Sequence, residues 1–172
     1  MGRGSIKENK SEYQLCREEQ GLTREKASEI ISETFPISAN KIEKIENDRA
    51  TITPGEVLAM SEGYKAPQLC NYYCANECPI GTKYVPDIKI KDLSIIVLEM
   101  LASLNSMKQQ QDRLIEISAD GKITEDELQD FVEINKQLKR ISIAAESLYL
   151  WSEKMIADGT IDEDEFNRLM ND

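Results

Sequence analysis

Three cysteines follow one another at intervals of four residues, at Cys70, Cys74 and Cys78, and Pro79 comes directly after the last. On a helix this spacing places the three thiols within about 80° of arc. Thiolates gathered on one side could bind zinc or an iron–sulfur cluster, and a Cys-Pro ending is typical of ferredoxin-type loops. A fourth ligand would still be needed, and the one remaining thiol is Cys16.

Two other interpretations of the triplet stay open. The cysteines could be small, soft side chains packed in a core together with Leu69, Tyr72 and Tyr73. They could also be redox-sensing thiols. The core interpretation is the one we favour for the triplet, and we expect Cys16 to be buried as well.

A repeated acidic segment raises the question of calcium. Residues 119–128 and 157–166 both contain Asp, Gly, a central Ile and a final Glu, like the second half of an EF-hand loop. The first halves lack the ligands, because Lys154 and Ile156 would occupy the first and third positions of the second loop. We therefore expect helix ends here, with left-handed Gly121 and Gly159 and two capping boxes, and no calcium site.

The residue types argue against an enzyme. The chain has no His, no Gly-rich phosphate loop and no nucleophile beside a base. Its net charge is −11, which excludes an indiscriminate nucleic-acid binder. The charge is uneven, since residues 1–85 hold 11 basic and 13 acidic side chains while residues 86–172 hold 10 and 19. The N-terminal half could therefore still present a local basic face.

No apolar stretch has the length of a membrane span, and no signal-peptide pattern opens the sequence. Together with free thiols, this predicts a cytoplasmic protein with no membrane partner. Residues 1–10 are expected to be a flexible leader.

Four short helices are predicted between residues 11 and 66. Gly21 ends the first helix, Thr23 caps the second, and Pro36 precedes a third helix that begins at Ser38. Thr53 and Glu56 form a capping box with Pro54 at the first helical position of the fourth. Within the third helix Ile42 and Ile45 give an apolar stripe, and polar residues lie between them.

The sequence 16–23 (Cys-Arg-Glu-Glu-Gln-Gly-Leu-Thr), followed by Ala27 and by 42–46 (Ile-Glu-Lys-Ile-Glu), resembles the XRE family of lambda-repressor/Cro-like helix-turn-helix domains. The resemblance covers residues 11–66, about a third of the chain. It implies that the second and third helices form the motif and that the third enters the DNA major groove.

The resemblance also implies roles for individual residues. Ala39, Asn40, Glu43 and Lys44 would face base edges, and Ser38 and Lys41 would lie near phosphate. Arg17 and Arg24 are further phosphate ligands in this interpretation, and Glu46 matches the structural Glu that fixes the recognition helix. The set of expected DNA-binding residues is Arg17, Arg24, Ser38, Ala39, Asn40, Lys41, Glu43 and Lys44.

Two positions depart from the family pattern. The usual Gly turn between the second and third helices is replaced by a longer segment, 32–36, which is expected to lengthen the second helix or tilt the third. The Gly after the structural Glu is replaced by Asn47 and Asp48, two residue types that tolerate the left-handed conformation.

The second half of the chain reads as two long amphipathic helices joined at Asp120 and Gly121, which predicts an antiparallel hairpin with a short terminal helix after Asp162. The expected inward series are Leu93, Val97, Met100, Leu104, Met107 and Leu114, then Phe131, Ile134, Leu138, Ile141, Ala145, Leu148 and Met155. Further apolar residues make the apolar surface of these two helices wider than their mutual contact can bury. The terminal helix or another subunit must therefore cover the remainder. We expect a homodimer.

The sequence thus predicts an all-α protein: a leader over 1–10, a four- to five-helix repressor-like domain over 11–66, a cysteine-containing helix and linker over 67–86, and a helical hairpin for dimerisation or sensing over 87–172. Its expected function is sequence-specific binding of double-stranded DNA in transcriptional regulation. The alternatives are a protein-interaction adaptor that kept the fold without binding DNA, or a metal, iron–sulfur or thiol sensor.

Overall fold

The computed structural model describes residues 10–32 and 35–171, and in those residues it is all-α, as predicted. Contacts divide the chain into two compact units, one of residues 1–88 with 152–172 and one of residues 89–151. This division differs from the predicted boundary at residue 87, because residues 152–172 belong with the N-terminal half and not with the hairpin.

The first unit is built from short helices. They are α1 (Glu12–Glu19), α2 (Arg24–Ile31), α3 (Ala39–Glu46), α4 (Pro54–Gly63), α5 (Gln68–Asn76), α6 (Gly81–Tyr84) and α9 (Glu163–Met170). The second, third and fourth helices begin at the cap residues that the sequence predicted, and Ser11 caps the first. Ser11, Thr23, Ser38 and Thr53 accept hydrogen bonds from backbone N–H groups in the first turn, and Thr53 with Glu56 forms the full capping box.

One apolar core joins α1 to α5. The side chains that fill it are Tyr13, Cys16, Ala27, Ile31, Ile37, Ile42, Ile45, Ile52, Val57, Ala59, Met60, Tyr64, Ala66 and Leu69. The expected burial of Cys16 is confirmed. Its thiol accepts a hydrogen bond from Gln68 at 3.5 Å, and burial raises its pKa to about 12, so it remains a neutral thiol at neutral pH.

The segment predicted as a linker is structured. Residues 81–84 form α6, and a Cβ atom at Gly81 would lie 1.9 Å from the Cys74 carbonyl oxygen, so only glycine allows this approach. The Asn71 side chain donates to the Pro86 carbonyl at 3.0 Å and accepts from the Ile88 N–H at 2.8 Å. These bonds bring the chain through Ile88 into the first unit.

The second unit is the hairpin of α7 (Leu93–Ser118) and most of α8 (Leu128–Ala157), with the short connection predicted around Gly121. Arg113 of α7 and Asp130 of α8 form an ion pair of 2.7 Å near that connection. Gly121 adopts a φ of 71°, and Glu127 accepts hydrogen bonds from the Thr124 N–H and hydroxyl, as expected for a turn that ends one helix and starts the next.

The inward seam of the hairpin confirms Ile134 but differs from the prediction at several other positions. In α7 the buried residues are Ile96 and Ile117, while Leu93, Val97 and Leu104 are exposed. In α8 the buried residues within the hairpin are Ile134, Gln137, Ala144, Ser147 and Leu150, and Leu138 and Ala145 are exposed. The apolar stripe on each helix is wider than the strip of surface that one partner helix can cover. Periodicity alone therefore could not determine which side of the stripe faces the partner helix.

Candidate nucleic-acid interface

The third helix is fixed to its unit by apolar and polar contacts at both ends. Ile42 and Ile45 are buried in the core, as is Ile37 just before the helix. The Ser38 side chain accepts from the Lys41 N–H at 3.2 Å, and the Ser28 hydroxyl of α2 donates to the Ile37 carbonyl at 2.6 Å. These contacts set the position of the first turn of α3 relative to α2.

A buried charge cluster holds the other end of α3. The fully buried carboxylate of Glu46 accepts from Arg17 Nε at 2.5 Å, from Arg17 Nη2 at 3.0 Å and from Arg24 Nε at 2.8 Å. Arg17 also donates to the Leu22 carbonyl at 2.6 Å. Burial alone would lower the pKa of the Arg17 guanidinium, but the hydrogen bonds and charge of Glu46 outweigh it and raise the pKa above its ordinary value. The expected structural role of Glu46 is confirmed.

This cluster corrects the prediction for Arg17. Its side chain is buried and three of its nitrogens are already engaged inside the protein, so it is not a phosphate ligand. Arg24 differs, because its side chain is one-third exposed and only its Nε is held by Glu46. The terminal nitrogens of Arg24 have no hydrogen-bond partner among the described residues, which leaves them able to meet a phosphate.

The outer face of α3 carries the side chains expected to read bases. Asn40, Glu43 and Lys44 are exposed, and Ala39 is half-buried. Within the described residues, neither the Asn40 amide nor the Lys44 ammonium forms a hydrogen bond or ion pair, so neither group would have to break a contact to bind a ligand. Ser38 is exposed at the start of the helix, but its hydroxyl oxygen is used by the cap.

Lys41 is placed differently from the other polar residues of α3. Its ammonium lies 3.3 Å from the Thr51 carbonyl and 3.4 Å from the Glu56 carboxylate, at the start of α4. It is half-buried and ties α3 to α4. A phosphate contact by Lys41 would require it to leave these partners, so its main role in this structure is to position the helix.

The elongated turn between α2 and α3 does not lengthen α2, which ends at Ile31. Residues 33 and 34 lie outside the described part of the chain. The Phe35 ring packs over the start of α4, since a Cβ atom at Gly55 would lie 3.1 Å from the Phe35 ring. The added residues therefore bring an aromatic side chain onto α4, and Pro36 leads directly into the α3 cap.

One basic residue near this face was missed by sequence reasoning. Arg49 is exposed just after α3, and within the described residues its side chain forms no hydrogen bond or ion pair. Its N–H donates to the Lys44 carbonyl at 2.7 Å, while Asp48 adopts a φ of 56°. The expectation that Asn47 and Asp48 supply a left-handed turn was the available signal, since that turn brings the next residue back beside Lys44.

The cysteine triplet does not form the arrangement that its spacing predicted. The α5 helix ends at Asn76, and the N–H groups of Glu77 and Cys78 both donate to the Tyr73 carbonyl. Cys78 therefore lies beyond the helix that carries Cys70 and Cys74. In the described residues no three Cys, Asp, Glu or His side chains are grouped as a metal site would require. All three thiols are half-buried, and burial raises the pKa of Cys70.

No family model matches the chain, and no curated protein or solved structure matches it either. The XRE resemblance therefore stays a prediction that depends on the residues described above. Among the helices of residues 10–32 and 35–171, none is both long enough and apolar enough to cross a membrane.

Proposed function

We propose that this protein is a cytoplasmic, sequence-specific DNA-binding regulator of the XRE type that acts as a homodimer. The observation that supports it best is the outer face of α3, where Asn40 and Lys44 are exposed on a helix fixed by the buried cluster of Glu46, Arg17 and Arg24. A rigid helix with such side chains is what major-groove recognition needs.

In this proposal each residue has a distinct role. Asn40 pairs with adenine through its amide, and Lys44 reaches guanine or phosphate. Arg24 and Arg49 contact phosphates on either side of α3, and Glu43 accepts from cytosine or excludes other bases. Ser38 and Ala39 allow close approach of the first turn, and Lys41 positions the helix. The protein performs no catalytic step.

The cysteines have a packing role in the proposed function. Leu69 on the same helix is fully buried, and Tyr72 and Tyr73 pack against the core. Tyr72 also forms an edge-to-face contact with Tyr13 of α1 at 5.7 Å between ring centroids. Cys70 and Cys74 lie on the helix that these contacts hold, so packing explains their position without a metal or cluster.

The proposal is tested first by selecting genomic DNA fragments with the purified protein, and then by a mobility-shift assay on the fragment selected. We expect Asn40→Ala combined with Lys44→Ala to weaken binding at least about 100-fold, since a base contact contributes about 1–3 kcal/mol. Both side chains are exposed, so circular dichroism and the melting temperature should not change.

The matched control removes one Asn and one Lys elsewhere. Asn167→Ala combined with Lys139→Ala changes two exposed side chains that form no side-chain hydrogen bond or ion pair within the described residues. Binding should stay within about twofold of the unmodified protein. If no fragment is enriched, DNA binding is refuted and the adaptor alternative takes its place. If both double variants bind the fragment equally, α3 is not the helix that recognises the bases.

A further inference from the structure

One face of the hairpin unit is apolar and exposed. It is formed by large side chains that are 38% to 59% exposed: Leu93, Val97, Leu101, Leu104, Ile115 and Leu138. We call this surface the apolar hairpin face.

The six residues share a face because of where they stand in each helix. Val97, Leu101 and Leu104 each follow a residue that is at least half-buried, and Leu138 follows the buried Gln137 of α8. A residue one position later is turned by about 100° around its helix axis. Because α7 and α8 are antiparallel, the same turn on both helices leads to the same side of the hairpin.

The opposite face is mixed in character. It carries an open groove of about 450 Å³, whose lining includes the charged Lys91, Glu99 and Arg140 as well as the apolar Ala102, Ile143 and Ala144. The six large aliphatic side chains of the apolar hairpin face are not interrupted by such charges, which is the character of one half of a four-helix bundle.

We infer that a second copy of this chain covers the apolar hairpin face, so that two hairpins pack as an antiparallel four-helix bundle related by a twofold axis. The inference names the surface used by the dimer of the proposed function, and to that extent it rests on that function.

The area of the face suits a homodimer. A fully exposed aliphatic residue presents somewhat less than the 150–250 Å² of an aromatic one, so the six partly exposed residues offer roughly 500 Å². A stable interface buries about 800 Å² per partner, of which about 65% is apolar in homodimers, or about 520 Å². The hairpin thus offers nearly the apolar area that one half of such an interface needs.

Charge selects the orientation. Around the hairpin connection, residues 112–133 hold eight acidic side chains against Arg113 and Lys122. A parallel pair would place the two acidic ends together, whereas an antiparallel pair separates them by about the length of α7, roughly 39 Å for 26 residues.

Sedimentation of the full chain without DNA tests the inference. We expect a dimer at about 10 µM, and we expect Leu101→Lys to raise the dissociation constant at least about tenfold, because two buried leucines become ammonium groups. The added positive charge lowers the net negative charge of the chain, so general repulsion cannot explain that result. Leu104→Lys should act in the same way and serves as the second variant if Leu101→Lys fails to fold.

Ile95→Lys is the matched control. Ile95 is 44% exposed on the same helix but precedes the buried Ile96, so it lies away from the apolar hairpin face. Its dissociation constant should stay within about twofold. A monomer at about 100 µM, or equal dissociation constants for Ile95→Lys and Leu101→Lys, would overturn the inference.

The orientation has its own test. Glu125→Gln combined with Asp126→Asn removes two exposed charges near the connection. The antiparallel dimer should keep its affinity within about twofold, whereas tenfold tighter association would show that the acidic ends meet and would refute the antiparallel arrangement. A chain that dimerises without binding DNA contradicts only the proposed function. A chain that binds DNA as a dimer whose dissociation constant is unchanged by Leu101→Lys and by Leu104→Lys contradicts only this inference.

Discussion

At the scale of single residues, the Glu46 carboxylate controls the candidate interface without being part of its surface. It lies in the core between two guanidinium groups, one buried in α1 and one partly exposed in α2. Three helices that are separate in sequence therefore meet at one charge. Any change there should act on the fold and on the direction of α3 together.

Glu46→Gln should lower the free energy of unfolding by about 3 kcal/mol or more, because it leaves the buried Arg17 cation with only the more distant Glu18 carboxylate, at 3.8 Å, as a counterion. Urea denaturation followed by circular dichroism measures the change. Arg24→Ala is the control, since this guanidinium is one-third exposed and its removal leaves Glu46 paired with Arg17. It should cost less than about 1 kcal/mol. Equal losses for the two variants would contradict the view that Arg17 and Glu46 form the dominant pair.

At the scale of elements, the junction between α5 and α6 shows how a short helix is held. The first residue of α6, Gly81, sits against the carbonyl of Cys74 with no room for a side chain. Thr82 donates its N–H to the Cys78 carbonyl at 2.9 Å, and Val85 donates to Gly81 at 2.7 Å. The chain can thus reverse direction tightly before it reaches Ile88.

Gly81→Ala should lower the free energy of unfolding by more than about 2 kcal/mol, because its Cβ would overlap backbone atoms that cannot move aside easily. Thermal or urea unfolding measures it. Gly21→Ala is the control in the same unit: Gly21 has a φ of 65° but open space around it, so alanine there meets only the left-handed penalty of about 1 kcal/mol. If Gly21→Ala is the more harmful variant, the close approach at Gly81 is not what limits the junction.

At the scale of the whole molecule, the proposed interface for DNA, a polyanion, belongs to a chain with a net charge of −11. The cations left for phosphate in the proposed function are few, namely Arg24, Lys44 and Arg49 in each copy. Acidic residues elsewhere in the chain repel the duplex at long range. Specific contacts therefore have to supply the affinity, and non-specific binding should be weak.

The salt dependence of DNA binding should show how many phosphate contacts each copy makes. Three phosphate contacts per copy predict that the logarithm of the association constant of a dimer falls with the logarithm of salt concentration with a slope of about −5. Fluorescence anisotropy of the selected operator between about 50 and 200 mM salt measures it. The control is Arg49→Ala, which should reduce the slope by about 2 for the dimer while leaving sequence preference unchanged. A slope near zero would mean that phosphate contacts do not contribute.

Much of the local structure follows from the sequence. The caps at Thr23, Ser38 and Thr53 were predicted because a side-chain oxygen and the first-turn N–H groups lie within three residues of each other. Left-handed Gly21, Gly121 and Gly159 followed from the same short-range rules. Burial of Cys16, Ile42 and Ile45, and the role of Glu46, followed from helical spacing and the XRE resemblance.

Only the tertiary structure decided matters that depend on contacts between distant segments. Arg17 was expected on the surface until its proximity to Glu46, 29 residues away, placed its charge in the core. The inward edge predicted for α7 was wrong at Leu93, Val97 and Leu104, because several apolar positions of this helix could equally face α8. The cysteine spacing suggested a common site, but a helix end at Asn76 separated Cys78 from the other two. Hydrogen bonds at helix ends form between residues that are close in sequence, so the local sequence predicts them. The pairing of charges and the choice of a packing face depend on residues that are distant in sequence, so only the tertiary structure determines them.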